Sequence, residues 1–100
     1  MTVKKEKSDG VLTVSVEGSI DVKTAPELKE ALNGELEDVM LVIIDLADTT
    51  YTSSAGLRVL LSIYQSMNRK GGRMKLTHMN DVFYNALKSA GYTQFLEIER

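Results

Sequence analysis

Residues 39–67 read VMLVIIDLADTTYTSSAGLRVLLSIYQSM, and this stretch contains the two periodicities that decide the fold. The run Val39–Ile44 is continuously apolar and rich in β-branched residues, which is typical of a central strand covered on both faces. From Ser53 onward, apolar residues recur at the spacing of a helix as far as Tyr64. The polar residues 45–52 between them are predicted to be mostly loop. The stretch therefore predicts a buried strand, a loop and a long helix in succession.

The flanking sequence continues this alternation of strands and helices. Asp9-Gly10 favours a tight hairpin between a weak first strand and an alternating second one. The predicted strands are residues 2–7, 11–17, 39–44, 74–78 and 94–98, and the predicted helices lie between Thr24 and Asn33, Ser53 and Gly71, and Asn80 and Gly91. This order predicts an α/β fold with a mostly parallel mixed sheet, an N-terminal hairpin and about three helices. The length of 100 residues predicts one domain, residues 1–100.

Two of the helix starts carry capping residues. Thr24 is followed by Pro26 and Glu27, which fits a capping box with Thr24 as the N-cap. Asn80 is predicted to cap the last helix. Both side chains are therefore expected to accept a hydrogen bond from the first helical turn.

Composition and charge exclude several classes of function. The chain has no cysteine and a single histidine, His78, so disulfides and cysteine-ligated metals are excluded and no metal site is expected. Its net charge is −2 and its basic residues are scattered, unlike those of a protein that binds nucleic acid directly. No apolar run approaches the ~20 residues that span a bilayer, and the N-terminus lacks the apolar segment of a signal peptide. We therefore expect a cytoplasmic protein with no membrane association.

In open α/β sheets, functional residues gather in the loops at the carboxyl ends of the strands. Two such places stand out, residues 18–21 (GSID) and residues 45–56. In the second, Ser53 and Ser54 open the longest helix, and their hydroxyls could serve only to cap it. Gly56 in the first turn costs about 1 kcal/mol relative to alanine, which indicates either the close approach of another backbone or helix-to-strand packing. On these residues alone, capping and function both stay open.

Two stretches of the sequence resemble the STAS domain, a family named for sulphate transporters and anti-sigma factor antagonists. Residues 45–57, DLADTTYTSSAGL, are similar to its signature, roughly D-L-[SA]-x-V-x-[YF]-[IM]-[DS]-S-[SA]-G-L. Residues 18–24, GSIDVKT, are similar to its G-x-[LI]-D-x-x-[TN] entry to the first helix. The order of the predicted elements agrees as well. The resemblance implies that the chain is a single STAS domain spanning residues 1–100.

The resemblance also implies a function, that of an anti-sigma factor antagonist. In such systems the unphosphorylated protein binds an anti-sigma factor serine kinase and releases the sigma factor. Phosphorylation abolishes that binding, and a serine phosphatase of the PP2C type resets the protein. The phosphorylated serine stands directly before [SA]-G, which is Ser54 here, and Asp21 matches the acidic residue beside it. The partner-binding residues implied in this way are Asp21, Thr49, Thr50, Ser53, Ser54, Ala55, Gly56 and Arg58.

These expectations describe a regulatory protein and not an enzyme. No cofactor, no metal and no direct contact with nucleic acid are expected, and we expect the free protein to be a monomer. A hydrolase is disfavoured because a nucleophile elbow would need glycine where Thr52 stands. The remaining alternative keeps the fold and changes the role: a STAS scaffold subunit of a sensory or lipid-transport complex, without phosphorylation.

Three residues depart from the family pattern. Thr49 and Thr52 stand where the family usually has Val and Ile or Met, and each adds a hydroxyl that needs a partner if it is buried. Ser53 replaces the commoner aspartate and leaves a second hydroxyl that could compete for the phosphoryl group. Tyr51, in the same segment, is either an exposed anchor for a partner or partly buried with a bonded hydroxyl.

Overall fold

The computed structural model describes residues 1–100 and opens with the predicted hairpin. Strands β1 (Thr2–Ser8) and β2 (Val11–Ile20) pair antiparallel on either side of Asp9 and Gly10, whose φ angles are 51° and 78°. A two-residue turn with positive φ at both positions matches the twist of the strands, and aspartate and glycine tolerate that conformation. β2 extends past its predicted end at Glu17 and reaches Ile20.

The sheet is built mainly from parallel strands. The elements after β2 are α1 (Ala25–Ala31), β3 (Leu41–Asp45), β4 (Thr49–Thr52), α2 (Ser54–Arg69), β5 (Arg73–Thr77), α3 (Asp81–Ser89), a 3-10 turn (Tyr92–Gln94) and β6 (Glu97–Glu99). β3, β5 and β6 follow β2 in that order, each parallel to its neighbour, so only β1 pairs antiparallel. The predicted α/β fold with a mostly parallel mixed sheet, an N-terminal hairpin and three helices is confirmed. None of the helices has both the length and the apolar composition required to span a bilayer.

The apolar core lies on one face of the sheet. Buried residues alternate with more exposed ones along β2 and β3, and Val14 and Ile44 are fully buried on the core side. Helix α2 contributes Leu60 and Met67 to the same core, and both are fully buried. The fold thus positions α2 across the sheet with its first residue at the carboxyl ends of the strands.

The prediction that the run in β3 is covered on both faces is wrong. Ile43 is only half-buried on the face opposite the core, and Met40 before the strand is half-exposed. In register, Ile43 lies between Thr13 and Lys75. The methylene stem of a lysine can cover apolar surface while its ammonium group stays in water, so an apolar residue is tolerated here without a second helical layer.

A short strand replaces part of the predicted loop at residues 45–52. β4 pairs parallel with the end of β2, where Thr49 lies opposite Gly18 and Thr52 opposite Ile20, with a register shift between them. The buried hydroxyl of Thr49 donates to the Val16 carbonyl at 2.7 Å. Side-chain hydroxyls therefore make part of the pairing between β4 and β2. Because threonines supply these hydroxyls, residues 49–52 lack the alternation of apolar and polar residues that would indicate a strand.

The cap of α1 differs from the predicted capping box. Thr24 has helical backbone angles and its side chain caps nothing in the helix. Its hydroxyl instead donates to the Ser19 carbonyl at 2.8 Å and accepts from the Asp21 N–H at 2.8 Å. The prediction for α3 is confirmed, because the Asn80 side chain accepts from the Phe83 N–H at 2.8 Å.

Candidate functional site

The two sequence motifs meet at the carboxyl ends of β2 and β4. The carbonyl of Ile20, the last residue of β2, accepts the N–H of Ser53 at 3.2 Å and the hydroxyl of Thr52 at 2.9 Å. These bonds fix the segment that begins at Asp21 beside the start of α2. The hydroxyl of Thr52 therefore has the partner that its burial requires, as does that of Thr49.

Gly56 makes this close meeting possible. A Cβ at this position would lie 2.2 Å from the Ile20 carbonyl oxygen and 2.2 Å from the Thr52 hydroxyl oxygen. No side chain fits there. The approaching backbone belongs to Ile20 in strand β2, so the two explanations for a glycine in the first turn of α2 describe the same contact.

The two serines at this corner lie in different environments. Ser54, the first residue of α2, is exposed, and its hydroxyl makes no hydrogen bond to any other residue. Ser53 has extended backbone angles at the N-cap, but its side chain makes no capping bond, and its hydroxyl oxygen is buried without a partner. Capping therefore accounts for neither hydroxyl, and only that of Ser54 faces solvent.

The Asp21 carboxylate organises the turn that leads into α1. One carboxylate oxygen accepts the N–H groups of Lys23 at 3.0 Å and Thr24 at 3.1 Å, and the other accepts the Ser19 hydroxyl at 3.0 Å. These donors, first of all the Thr24 N–H and then the Ser19 hydroxyl, lower the pKa of Asp21 below its usual value. Asp21 thus supports the site as a fixed anion in a hydrogen-bonded turn.

A shallow open depression surrounds Ser54. Val22 and Tyr51 are exposed beside it to 72% and 46% of their surface. Its lining combines apolar and charged side chains, namely Asp21, Val22, Lys23, Tyr51, Ser53, Ser54, Ala55 and Arg58. We refer to this set as the Ser54 surface. An exposed hydroxyl surrounded by apolar groups and by charged groups of both signs suits contact with another protein.

The structure divides the residues that the resemblance implied. Five of them line the Ser54 surface and Thr50 is exposed on β4, but Thr49 and Gly56 are buried beneath it. Those two support the surface from within and cannot contact a partner in this conformation. Val22 and Lys23 also line this surface and were not foreseen, because both stand at positions that the motif leaves unspecified.

These features define a small α/β domain in which a conformationally restrained turn and an exposed serine converge at the start of a helix. The family model of the STAS domain matches residues 2–100. The chain belongs to the STAS domain family, as the two motifs predicted.

Three known proteins illustrate the similarity. The chain is 28% identical to the anti-sigma-B factor antagonist of Listeria monocytogenes over 96 residues, which are 95% of this chain and 84% of that protein. It is 29% identical over 96 residues to the anti-sigma-B factor antagonist of Bacillus subtilis, with 96% and 86% of the two chains covered. The crystal structure of an anti-sigma factor antagonist from Mycobacterium paratuberculosis superposes with a TM-score of 0.87 at 27% identity, over 98% of this chain and 84% of that one.

Proposed function

We propose that this protein is an anti-sigma factor antagonist that works in the cytoplasm without catalysis. Its unphosphorylated form binds an anti-sigma factor serine kinase and so releases a sigma factor. The observation that carries the proposal is the Ser54 hydroxyl, exposed and unbonded at the first residue of α2. The role of the relatives from Listeria and Bacillus supports the same assignment.

The regulatory reaction is a phosphoryl transfer in which this chain supplies only the acceptor. The Ser54 oxygen forms a bond to the γ-phosphorus of ATP held by the kinase, and the bond from that phosphorus to the β–γ bridging oxygen breaks. The hydroxyl proton passes to a base of the kinase, and ADP leaves. A serine phosphatase of the PP2C type hydrolyses the ester and returns the free hydroxyl.

Ser54 is the hydroxyl at this corner that an incoming kinase can reach. The Ser53 oxygen is buried, and the Thr52 hydroxyl is bonded to the Ile20 carbonyl. Phosphorylation of either neighbour would require the start of α2 to open. We therefore assign the phosphorylation to Ser54 alone and give Ser53 no share in it.

The energetics favour a switch of binding over a change of fold. A phosphoryl group adds about −1.5 to −2 charges at pH 7. On the first residue of α2 this charge is favoured by about 0.3–1 kcal/mol by the helix dipole, so the domain tolerates it. Buried against a partner surface that supplies no counter-charge of its own, it costs several kcal/mol. Since every 1.4 kcal/mol changes affinity tenfold, a penalty of about 3 kcal/mol weakens the complex more than a hundredfold.

The proposal is tested by calorimetric titration of the cognate anti-sigma factor kinase with three variants. Ser54→Ala should bind as the wild type does, and Ser54→Asp should stay folded and bind at least about tenfold more weakly. Gln65→Glu is the matched control, because it adds one negative charge to an exposed position on the same helix, roughly 16 Å further along its axis. Equal binding by all three variants would refute the proposed switch. Absence of a phosphoryl adduct on Ser54 after incubation with kinase and ATP would favour the scaffold alternative.

A further inference from the structure

Arg58 is the one arginine of this protein whose guanidinium has no partner within the chain. Arg69 donates to the Ser66 hydroxyl, Arg73 to the Glu97 carboxylate and Arg100 to the Asp81 carboxylate. Arg58 makes no hydrogen bond or ion pair, although it is exposed and lines the Ser54 surface. Its positive charge is therefore available to an anion that arrives at this surface.

The geometry of the helix directs Arg58 toward Ser54. Residues four apart on a helix are neighbours on its surface, and Ser54 and Arg58 have this spacing at the start of α2. Helical side chains also tilt toward the helix N-terminus, so a long side chain covers the turn before its own Cα. The guanidinium of Arg58 can therefore reach the space above the Ser54 hydroxyl, and its planar fork matches the oxygens of a phosphoryl group.

The acid on the same surface does not compete for Arg58. The carboxylate oxygens of Asp21 accept hydrogen bonds from Ser19, Lys23 and Thr24, and neither forms an ion pair. The surface thus combines an anion already bonded within its own turn and two cations, Lys23 and Arg58, whose side chains make no hydrogen bond or ion pair; of these only Arg58 is on the same helix as Ser54. This asymmetry leaves Arg58 free in the unphosphorylated protein.

We propose that Arg58 is the intramolecular counter-charge of phosphorylated Ser54, an inference that rests on the phosphorylation in the proposed function. In the unphosphorylated protein Arg58 is free to pair with an acidic group of the kinase. After phosphorylation the guanidinium binds the phosphoryl oxygens of its own helix. Phosphorylation then has two effects on the Ser54 surface: it adds an anion, and it makes the Arg58 guanidinium unavailable to the partner.

The test uses protein with phosphoserine installed at position 54 during translation, so that no kinase is needed. The second pKa of the phosphoserine, about 6 in the absence of partners, is measured by phosphorus NMR titration at low ionic strength. A nearby guanidinium favours the dianion, so Arg58→Gln should raise this pKa by roughly 0.3 unit or more relative to the wild type. Arg58→Lys should restore part of the difference, because lysine keeps the charge and loses the fork.

Arg69→Gln is the matched control, since it removes the same charge from the far end of the same helix and should leave the phosphoserine pKa unchanged. An identical pKa in wild type and Arg58→Gln would overturn the inference and leave the proposed function standing. A kinase that binds Ser54→Asp as tightly as the wild type would refute the proposed function, whatever the titration shows.

Discussion

The carbonyl oxygen of Ile20 lies 2.2 Å from the point where a Cβ on Gly56 would stand. The carbonyl oxygen belongs to the backbone of β2 and the Cβ position is set by the backbone of α2, so a side chain at residue 56 would change how β2 meets α2. Gly56→Ala should therefore lower the free energy of unfolding by about 2 kcal/mol or more, even though alanine is the better helix former by about 1 kcal/mol. Urea denaturation followed by circular dichroism measures this loss.

Gly34→Ala is the control for this substitution. A Cβ at Gly34 would meet nothing within 4 Å, so its cost comes only from the positive φ of 78°. That cost is about 1–2 kcal/mol, and the start of α2 should be unaffected. Wild-type stability of Gly56→Ala would show that β2 and α2 do not meet as closely as the structure indicates.

The buried hydroxyl of Thr49 leads to a second prediction, against the preference of the family for valine at this position. The hydroxyl donates to the Val16 carbonyl at 2.7 Å and joins β4 to β2. Thr49→Val keeps the shape of the side chain but removes the donor, so it should destabilise the protein by about 1 kcal/mol. The midpoint of urea unfolding should fall while the slope of the transition stays the same.

Thr50→Val serves for comparison, since the neighbouring residue is exposed and should change stability by less than about 0.5 kcal/mol. A Thr49→Val protein as stable as the wild type would mean that the hydroxyl contributes nothing to the pairing of β4.

The sequence predicted the main strands and helices because the spacing of their apolar residues is regular. β2 alternates, α2 repeats at helical spacing, and Asp9-Gly10 favours one kind of turn. β4 was missed because Thr49 contributes a hydroxyl and not an apolar contact to the pairing. Such a bond depends on where the Val16 carbonyl lies in space, which no local pattern records.

The site was foreseen through its motifs but not through its contacts. The segments around Asp21 and Ser54 could be recognised separately, whereas their meeting depends on where the backbone carbonyl of Ile20 lies in space, which the motif does not record. The Thr24 capping box failed for a related reason. The Asp21 carboxylate accepts the Thr24 N–H, and the Thr24 hydroxyl turns back to Ser19. Which nearby acceptor takes the Thr24 N–H is decided by backbone geometry and not by residue spacing.

The lowered pKa of Asp21 gives a third prediction. The pKa of Asp21 is lower in the folded protein than in the unfolded chain. The ionised carboxylate therefore stabilises the fold at pH values above the unfolded pKa, and this contribution is lost as the pH falls through the folded pKa. Asp21→Asn should therefore be less stable than the wild type at about pH 7, and the difference should shrink toward about pH 3. Urea denaturation of both proteins across this range measures the change.

Asp48→Asn is the comparison for this substitution at neutral pH, because Asp48 is exposed and its carboxylate accepts no hydrogen bond within the chain. At about pH 7 it should differ in stability from the wild type by less than about 0.5 kcal/mol. A constant difference between wild type and Asp21→Asn over the whole range would exclude the hydrogen-bonded carboxylate as the source of the effect.

The contrast between Ser53 and Ser54 gives the fourth prediction. A serine at an N-cap normally contributes about 1 kcal/mol through a bond to the first helical turn, and its replacement by alanine loses that energy. The Ser53 hydroxyl makes no such bond and is buried without a partner. Ser53→Ala removes an unsatisfied polar group, so the protein should be as stable as the wild type or more stable by up to about 1 kcal/mol.

The same pair of variants separates the two hydroxyls as phosphate acceptors. Because the Ser53 oxygen is buried and the Ser54 oxygen is not, Ser53→Ala should still gain one phosphoryl group from the cognate kinase, and Ser54→Ala should gain none. Mass spectrometry of the intact proteins after incubation with ATP measures both. If Ser53→Ala were less stable than the wild type by about 1 kcal/mol, the Ser53 hydroxyl would have to make a capping bond in solution. If Ser54→Ala were still phosphorylated at Ser53, the start of α2 would have to open far enough in solution to expose the Ser53 oxygen. The assignment of Ser54 as the only acceptor would then be wrong.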